Sequence, residues 1–306
     1  MLDEVRAGLL RPQKEIPSKF FYDTRGSELF EEITRLPEYY LTRTERALLE
    51  ACAPEWIAAL HPRTLVELGA GSAVKTRILL DAMRSAGTGE RYIPVDVSSE
   101  FLEGTAGELR GEYPALQIIP VVADMSAEFE LPENLPRPAL FALLGSTIGN
   151  FDTPEAIRLL RQVRRAMHSG DWLLLGVDLR KEPARIEAAY NDAQGITAEF
   201  NRNILRVVNR ELEADFDPDA FRHRAFYNTE LGRIEMHLEA EHAQVVSIPG
   251  MAPLRIRAGE TIRTEISCKY DRASVQELFA ASGLQIDGWH ADAEALFALV
   301  IGVPVE

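Results

Sequence analysis

Cysteine is nearly missing from this chain: Cys52 and Cys268 are the only two among 306 residues. Two cannot build a disulfide framework, and neither stands in a metal-site spacing. Long apolar runs are missing as well. No stretch reaches the roughly 18 residues that a bilayer span requires. The opening MLDEVRAGLLRPQKEIP carries acids early and has no apolar core, so no secretory leader is expected. Basic excess is the third absence, with 33 Lys and Arg against 48 Asp and Glu and a formal net charge of −15. Binding to nucleic acid relies on Lys and Arg to neutralise phosphates. The densest basic stretch, RQVRRAM, lies in a helical pattern with Leu159, Leu160, Val163 and Met167 and reads as a solvated helix face. Repeats and low-complexity segments are absent, and His223, His237, His242 and His290 are scattered without ligand spacing. By elimination the chain acts on a small molecule. It is expected in the cytoplasm, as a monomer, with no metal, no nucleic acid and no membrane.

What is present is an ordinary globular composition, 46% hydrophobic and 26% charged, in a chain long enough for two lobes. From Thr64 to Asp178 strands alternate with helices. TLVELGAG, RYIPVDVS, LQIIPVVAD, ALFALLGS and DWLLLGVDL read as strands. The helix TPEAIRLLRQVRRAMHSG is expected to start on Thr153 as cap with Pro154 in the first turn, and to stop at Gly170. Continuous apolar strands alternating with helices predict a parallel sheet covered on both faces.

After Arg180 the rhythm breaks. EPARIEAAYNDAQ and GITAEFNRNILRVVNRELEADF read as consecutive helices, and RIEMHLEAEHAQVVSI with RTEISCKY as a long antiparallel pair. VQELFAASGL and LFALVIGVPV then return to helix and strand and finish the first sheet with a hairpin. The α/β unit is thus interrupted by roughly 90 residues, the size of a small domain. The expected division is 51–180 with 270–306 as one domain, and 1–50 with 181–269 as a second, α+β lobe that closes over the carboxyl ends of the strands. Open α/β sheets bind ligands at those ends.

In Val66-Glu67-Leu68-Gly69-Ala70-Gly71 the glycines allow a tight turn and a ligand lying against backbone. A dinucleotide fingerprint needs a third glycine where Val74 stands, and there is no GxxxxGK[ST] phosphate loop. An acid two residues before the first glycine, Glu67, fits a ligand with positive charge and no phosphate. This pattern resembles the first motif of class I S-adenosylmethionine (SAM)-dependent methyltransferases. Asp96 ends the second strand, where a carboxylate can accept from ribose hydroxyls. Asp124 ends the third, where an acid can reach an adenine amino group. The fold class is therefore α/β, a Rossmann-like class I methyltransferase sheet, parallel with a terminal antiparallel hairpin, beside a second lobe.

The strand RTEISCKY leaves two readings open. Ile262, Ile266, Cys268 and Tyr270 alternate with Arg263, Glu265, Ser267 and Lys269, so one face is apolar and one polar. The polar face meets water, or Glu265 and Ser267 point at a ligand.

FYDTRGSELFEEITRLPEYYLTRTE, LVELGAGSAVKTRILLDAM, LLGSTIGNF, AYNDAQGITAEFNRNIL and TEISCKY, in this order, resemble the histidine Nα-methyltransferase family. That family makes histidine betaine (hercynine), the first step of ergothioneine biosynthesis, and the resemblance runs from about Pro17 to the C-terminus. It implies that Tyr39 and Asn150 lie near the substrate's amino and carboxylate groups and that Tyr190 binds the carboxylate. It also implies that Glu265 and Ser267 hold the two imidazole nitrogens and that Tyr22 sits close to the reacting amine. Catalysis would fall to Tyr22, Tyr39 and Asn150. For the cofactor it gives Gly69, Gly71, Lys75, Asp96, Asp124 and Met125, with Lys75 equally readable as a solvated residue of the first helical turn. Two positions depart from the family pattern: Met125, where an aromatic can stand, and Leu41, where proline is common. The implied reaction is in-line displacement at the sulfonium methyl, with S-adenosylhomocysteine leaving and three successive additions. Water, Tyr22 or a nearby acid could take the proton. Two alternatives remain at this point: the same chemistry on tryptophan or tyrosine, or a SAM-binding protein without catalysis.

Overall fold

Strands that are apolar on both faces build the larger part of the molecule. In the computed structural model, which describes residues 1–305, Thr64–Leu68 and Ala139–Leu143 are buried at every position. Two residue groups on alternating positions show why. Val66, Leu68, Phe141 and Leu143 pack on the helices Thr153–Ala166 and Arg272–Ser282. Leu65, Tyr92, Leu140 and Leu174 pack on the helices Tyr40–Leu60, Thr76–Ser85 and Ser99–Glu112. A strand with helices on both sides has no water-facing side to make polar.

The eight strands of this sheet run, edge to edge, Leu284–Ala291, Phe297–Pro304, Trp172–Asp178, Ala139–Leu143, Thr64–Leu68, Arg91–Asp96 and Gln117–Ile118, with Val121–Val122 also on Arg91–Asp96. The central pairings are parallel. The last two strands form an antiparallel hairpin whose Phe297–Pro304 arm pairs antiparallel with Trp172–Asp178. LQIIPVVAD is two short strands because Pro120, which has no N–H for the ladder, falls between them. The Thr153–Ala166 helix is capped one residue earlier than expected. Asp152 accepts from Glu155 N–H at 2.9 Å while Glu155 accepts from Asp152 N–H at 3.0 Å, a reciprocal capping box. It ends at Ala166 rather than Gly170.

Chain contacts divide the molecule into two compact units, Met1–Tyr40 with Lys181–Ser267, and Leu41–Arg180 with Cys268 onward. The first break falls at the start of the Tyr40–Leu60 helix, ten residues before the expected residue 50, because Leu49, Ala53, Trp56 and Ile57 belong to the sheet's core.

The smaller unit is a four-stranded sheet in the order Lys14–Glu15, Thr261–Cys268, Arg233–Ala240, Phe221–Asn228. The Ile196–Leu212 helix covers the face of Ile262 and Thr264: the Thr264 hydroxyl donates to Asn201 Oδ1 at 2.6 Å. Phe221–Asn228 pairs antiparallel with Arg233–Ala240, although FRHRAFYN is too polar to read as a strand. RIEMHLEAEHAQVVSI is not one strand. It breaks after Ala240, and Gln244–Val246 pairs separately with Leu254–Ile256. Among the described residues no helix is long and apolar enough to cross a membrane.

Candidate active site

In the sheet unit, the ends of three adjacent strands carry the first set of candidates. Gly69 and Gly71 turn the chain at φ +72° and +51°, the left-handed region that L side chains avoid. A Cβ on Gly71 would meet nothing within 4 Å, and one on Gly69 would lie 3.5 Å from Met125 Cε and from Thr147. Asp96 accepts from Gly71 N–H and Ser98 N–H, both at 3.1 Å, so the second strand end braces the turn of the first. Asp124, one strand further, accepts from Ser126 N–H at 2.8 Å and from its hydroxyl at 2.6 Å. The donor set suits an adenosyl group: open backbone at the turn, a carboxylate for a diol, then a carboxylate and a thioether for an adenine.

Glu67 does not face that turn. Its carboxylate is 2% exposed and accepts from Thr76 at 2.6 Å and from the Tyr92 hydroxyl at 2.6 Å. The idea that it meets a cationic ligand is therefore corrected: Glu67 points into the face that packs on the Thr76–Ser85 helix. Burial pushes its carboxyl up to about 7, against the lowering effect of the two hydroxyls.

Lys75 is not the solvated residue that its place in the first turn allowed. It is paired with Glu45, and Glu45 also accepts from Gly145 N–H. Asn150 closes the short 3₁₀ helix Thr147–Asn150 that follows. That segment is fixed at two points: Asp178 N–H donates to Ser146 Oγ at 3.0 Å, and the Tyr270 hydroxyl donates to Ile148 O at 3.3 Å. Lys269, counted with the polar face of its strand, is fully buried against Asp178 at 2.9 Å.

In the smaller unit, aromatic rings join the second set. Tyr22 meets Phe30 edge-on at 5.8 Å, Phe30 meets Tyr39 at 6.3 Å, and Tyr39 meets Tyr190 at 6.3 Å. The Tyr190 hydroxyl then donates to Ser267 Oγ at 3.0 Å. Glu265, two residues before Ser267, shares its strand face. Tyr22, Tyr39, Tyr190 and Ser267 are thus connected, although they come from sequence positions far apart.

His223 escaped the sequence reading. Its Nε2 lies 2.8 Å from Tyr190 O and its Nδ1 2.8 Å from Asn201 Nδ2. An amide can only donate to Nδ1, so Nε2 carries the proton and donates to Tyr190 O. Burial lowers the pKa of this ring and keeps it neutral. Nothing in FRHRAF distinguishes this histidine from a surface one.

The model for the histidine-specific, SAM-dependent methyltransferase family matches residues 1–303. The chain is 45% identical over 298 residues to a histidine N-alpha-methyltransferase of Mycobacterium tuberculosis, covering 97% of this chain and 92% of that protein. It is 32% identical to ergothioneine biosynthesis protein 1 of Neurospora crassa over 92% of this chain and 33% of that much longer protein. Among solved structures, a SAM-dependent methyltransferase from Clostridium acetobutylicum superposes with a TM-score of 0.52 at 11% identity, covering 91% of this chain and 99% of that one. The sheet is that of the class I SAM-dependent methyltransferases. The chain belongs to the family of histidine-specific, SAM-dependent methyltransferases.

Proposed function

We propose that this protein adds three methyl groups in succession to the α-amino group of L-histidine, giving hercynine, with the sheet unit holding SAM and the smaller unit holding the amino acid. The observation that carries the substrate is the Tyr190–Ser267 hydrogen bond beside Glu265. A neutral imidazole presents one N–H donor and one acceptor nitrogen. Glu265 accepts from the first. Ser267, which takes the Tyr190 proton on its oxygen, donates its own to the second. A tryptophan or tyrosine side chain offers no such donor–acceptor pair two bonds apart, so this strand face favours histidine. The 45% identity to a histidine N-alpha-methyltransferase supports the same choice.

The residues around the amine suit a growing cation. The rings of Tyr22, Phe30 and Tyr39 follow one another, and an aromatic face stabilises an alkylammonium by about 0.5–2 kcal/mol. That attraction survives when the last N–H is replaced by methyl, whereas a hydrogen bond to the amine does not. Tyr22 and Asn150 orient the neutral amine and Tyr39 holds the carboxylate end, while Tyr190, whose one hydroxyl proton goes to Ser267, orients that serine. Asp96 binds the cofactor ribose, and Asp124 with Met125 binds the adenine. SAM supplies an electrophilic methyl on a sulfonium, so the protein's contribution is chiefly to hold the amine in line with it at near-contact distance.

The test is mass spectrometry of the purified protein with SAM and an equimolar mixture of the twenty amino acids. Histidine heavier by three methyl groups is the expected product. A methylated amino acid other than histidine would refute the role given to Glu265 and Ser267. Bound SAM with no product would refute the reaction.

A further inference from the structure

The Tyr40–Leu60 helix buries Leu41, Leu49, Ala53 and Ile57. One acid, Glu45, stands in the same i, i+4 row, and it is also fully buried. A carboxylate in an apolar stripe is costly unless it is paired and hydrogen-bonded. Its partners explain it. Gly145 N–H donates to both oxygens, at 2.7 and 2.9 Å, and the Lys75 ammonium pairs with Oε2. The neighbouring strand leaves room for this: a Cβ on Gly176 would collide with Glu45 Oε1, so only glycine there lets the carboxylate lie flat against the sheet.

Lys75 stands directly after the glycine turn, with its side chain 21% exposed while that of Glu45 is 0% exposed. A Cβ on Gly145 would come within 3.1 Å of Lys75 Nζ. The ammonium therefore has a buried anion behind it and backbone beside it. A lysine on a solvated surface samples many rotamers, and binding an anion there orders them. Here that ordering is complete before any ligand arrives.

We propose that Glu45 is a positioning residue for the cofactor. It acts through Lys75, seated by Gly145 and Gly176, and directs the ammonium at the carboxylate of the SAM methionine moiety. This rests on the reading of Lys75 as a cofactor ligand. It concerns a residue outside the glycine turn and the strand-end acids.

Calorimetric titration of SAM into the full chain and into Glu45→Gln, Lys75→Met and the double variant tests it. Glu45→Gln keeps the shape and an acceptor for Gly145 but cannot hold the ammonium. Each single substitution should weaken SAM binding about tenfold or more, and the double about as much as Lys75→Met alone, because the two act on one interaction. Losses that multiply would mean that Glu45 only supports the fold, and would overturn the proposal. So would wild-type affinity in Glu45→Gln while Lys75→Met is weakened. Wild-type affinity in Lys75→Met would overturn the Lys75 assignment itself, and the proposal with it. If Glu45→Gln does not fold, Glu45→Asp keeps the charge and withdraws it by about one carbon–carbon bond. Undiminished SAM affinity in folded Glu45→Asp would equally overturn the proposal.

Discussion

Replacing Glu67 by glutamine should change how stability depends on pH, and the size follows from where that carboxyl sits. Unfolded, the group loses its proton near the ordinary 4.5; folded, burial holds the proton up to about 7. Between these values the native state binds a proton that the unfolded chain does not, so stability falls as pH rises. The contribution is fully present below 4.5 and is lost as pH rises through 7. The two values stand about 2.5 pH units apart, and at about 1.36 kcal/mol per pH unit the contribution comes to about 3 kcal/mol. Glutamine fills the same space between Thr76 and Tyr92 and does not titrate. Urea unfolding of wild type and Glu67→Gln at pH 5 and pH 8 is the assay. The variant should gain about 2.5 kcal/mol on wild type between the two, since pH 5 already lies above the unfolded value. A constant difference would refute the reasoning, and would mean that the carboxyl is ionised in its hydroxyl cage at both pH values.

Four further outcomes are expected. Glu265→Ala should weaken histidine binding by about 1.5–3 kcal/mol, the worth of a hydrogen bond to a charged group, and leave SAM binding within about twofold; equal losses in calorimetry count against the imidazole role. Asp96→Ala removes both the proposed diol acceptor and the brace on Gly71, so SAM affinity should fall by at least about 1.5 kcal/mol; unchanged affinity sinks that assignment. Lys269→Met breaks a fully buried ion pair with Asp178 and should cost about 3–5 kcal/mol in denaturant unfolding, much of it recovered by adding Asp178→Asn; a loss below about 1 kcal/mol would show the pair to be solvated. His223 is held neutral by burial, so its folded pKa lies below the ordinary 6.5. Its contribution is complete above 6.5 and is lost as pH falls through the folded value. His223→Gln should flatten the acid limb of the stability curve, and parallel curves would refute this.

The sequence showed the architecture wherever a local pattern has one physical cause. Apolar runs between helices imply a sheet covered on both faces, and the eight-stranded sheet has that form. Glycines after the first strand allow a tight turn, and Gly69 and Gly71 make one at positive φ. The signals that failed were those with two causes. Glu67, read as facing a ligand, faces two hydroxyls in the core, because alternation along a strand says that a side chain points to one face without saying what covers it. FRHRAFYN hid a strand because its hydrogen bonds go to Arg233–Ala240, whose register local composition does not encode.

Some residues carried a signal that only tertiary structure could interpret. Glu45 interrupts the Leu41, Leu49, Ala53, Ile57 stripe, and an acid there marks a buried partner without naming it. The partners, Lys75 and Gly145, lie 30 and 100 residues away. The Tyr190–Ser267 bond spans 77 residues and the His223–Tyr190 bond 33. By itself, then, the sequence determined the strand–helix alternation of the larger sheet, the glycine turn and the family, since these follow from local sterics, hydrophobic period and contiguous motifs. The tertiary structure alone decided which carboxylate is caged, which lysine is held and which tyrosine orients a serine. Those are contacts between distant segments, and no short-range pattern fixes what a buried polar atom will meet.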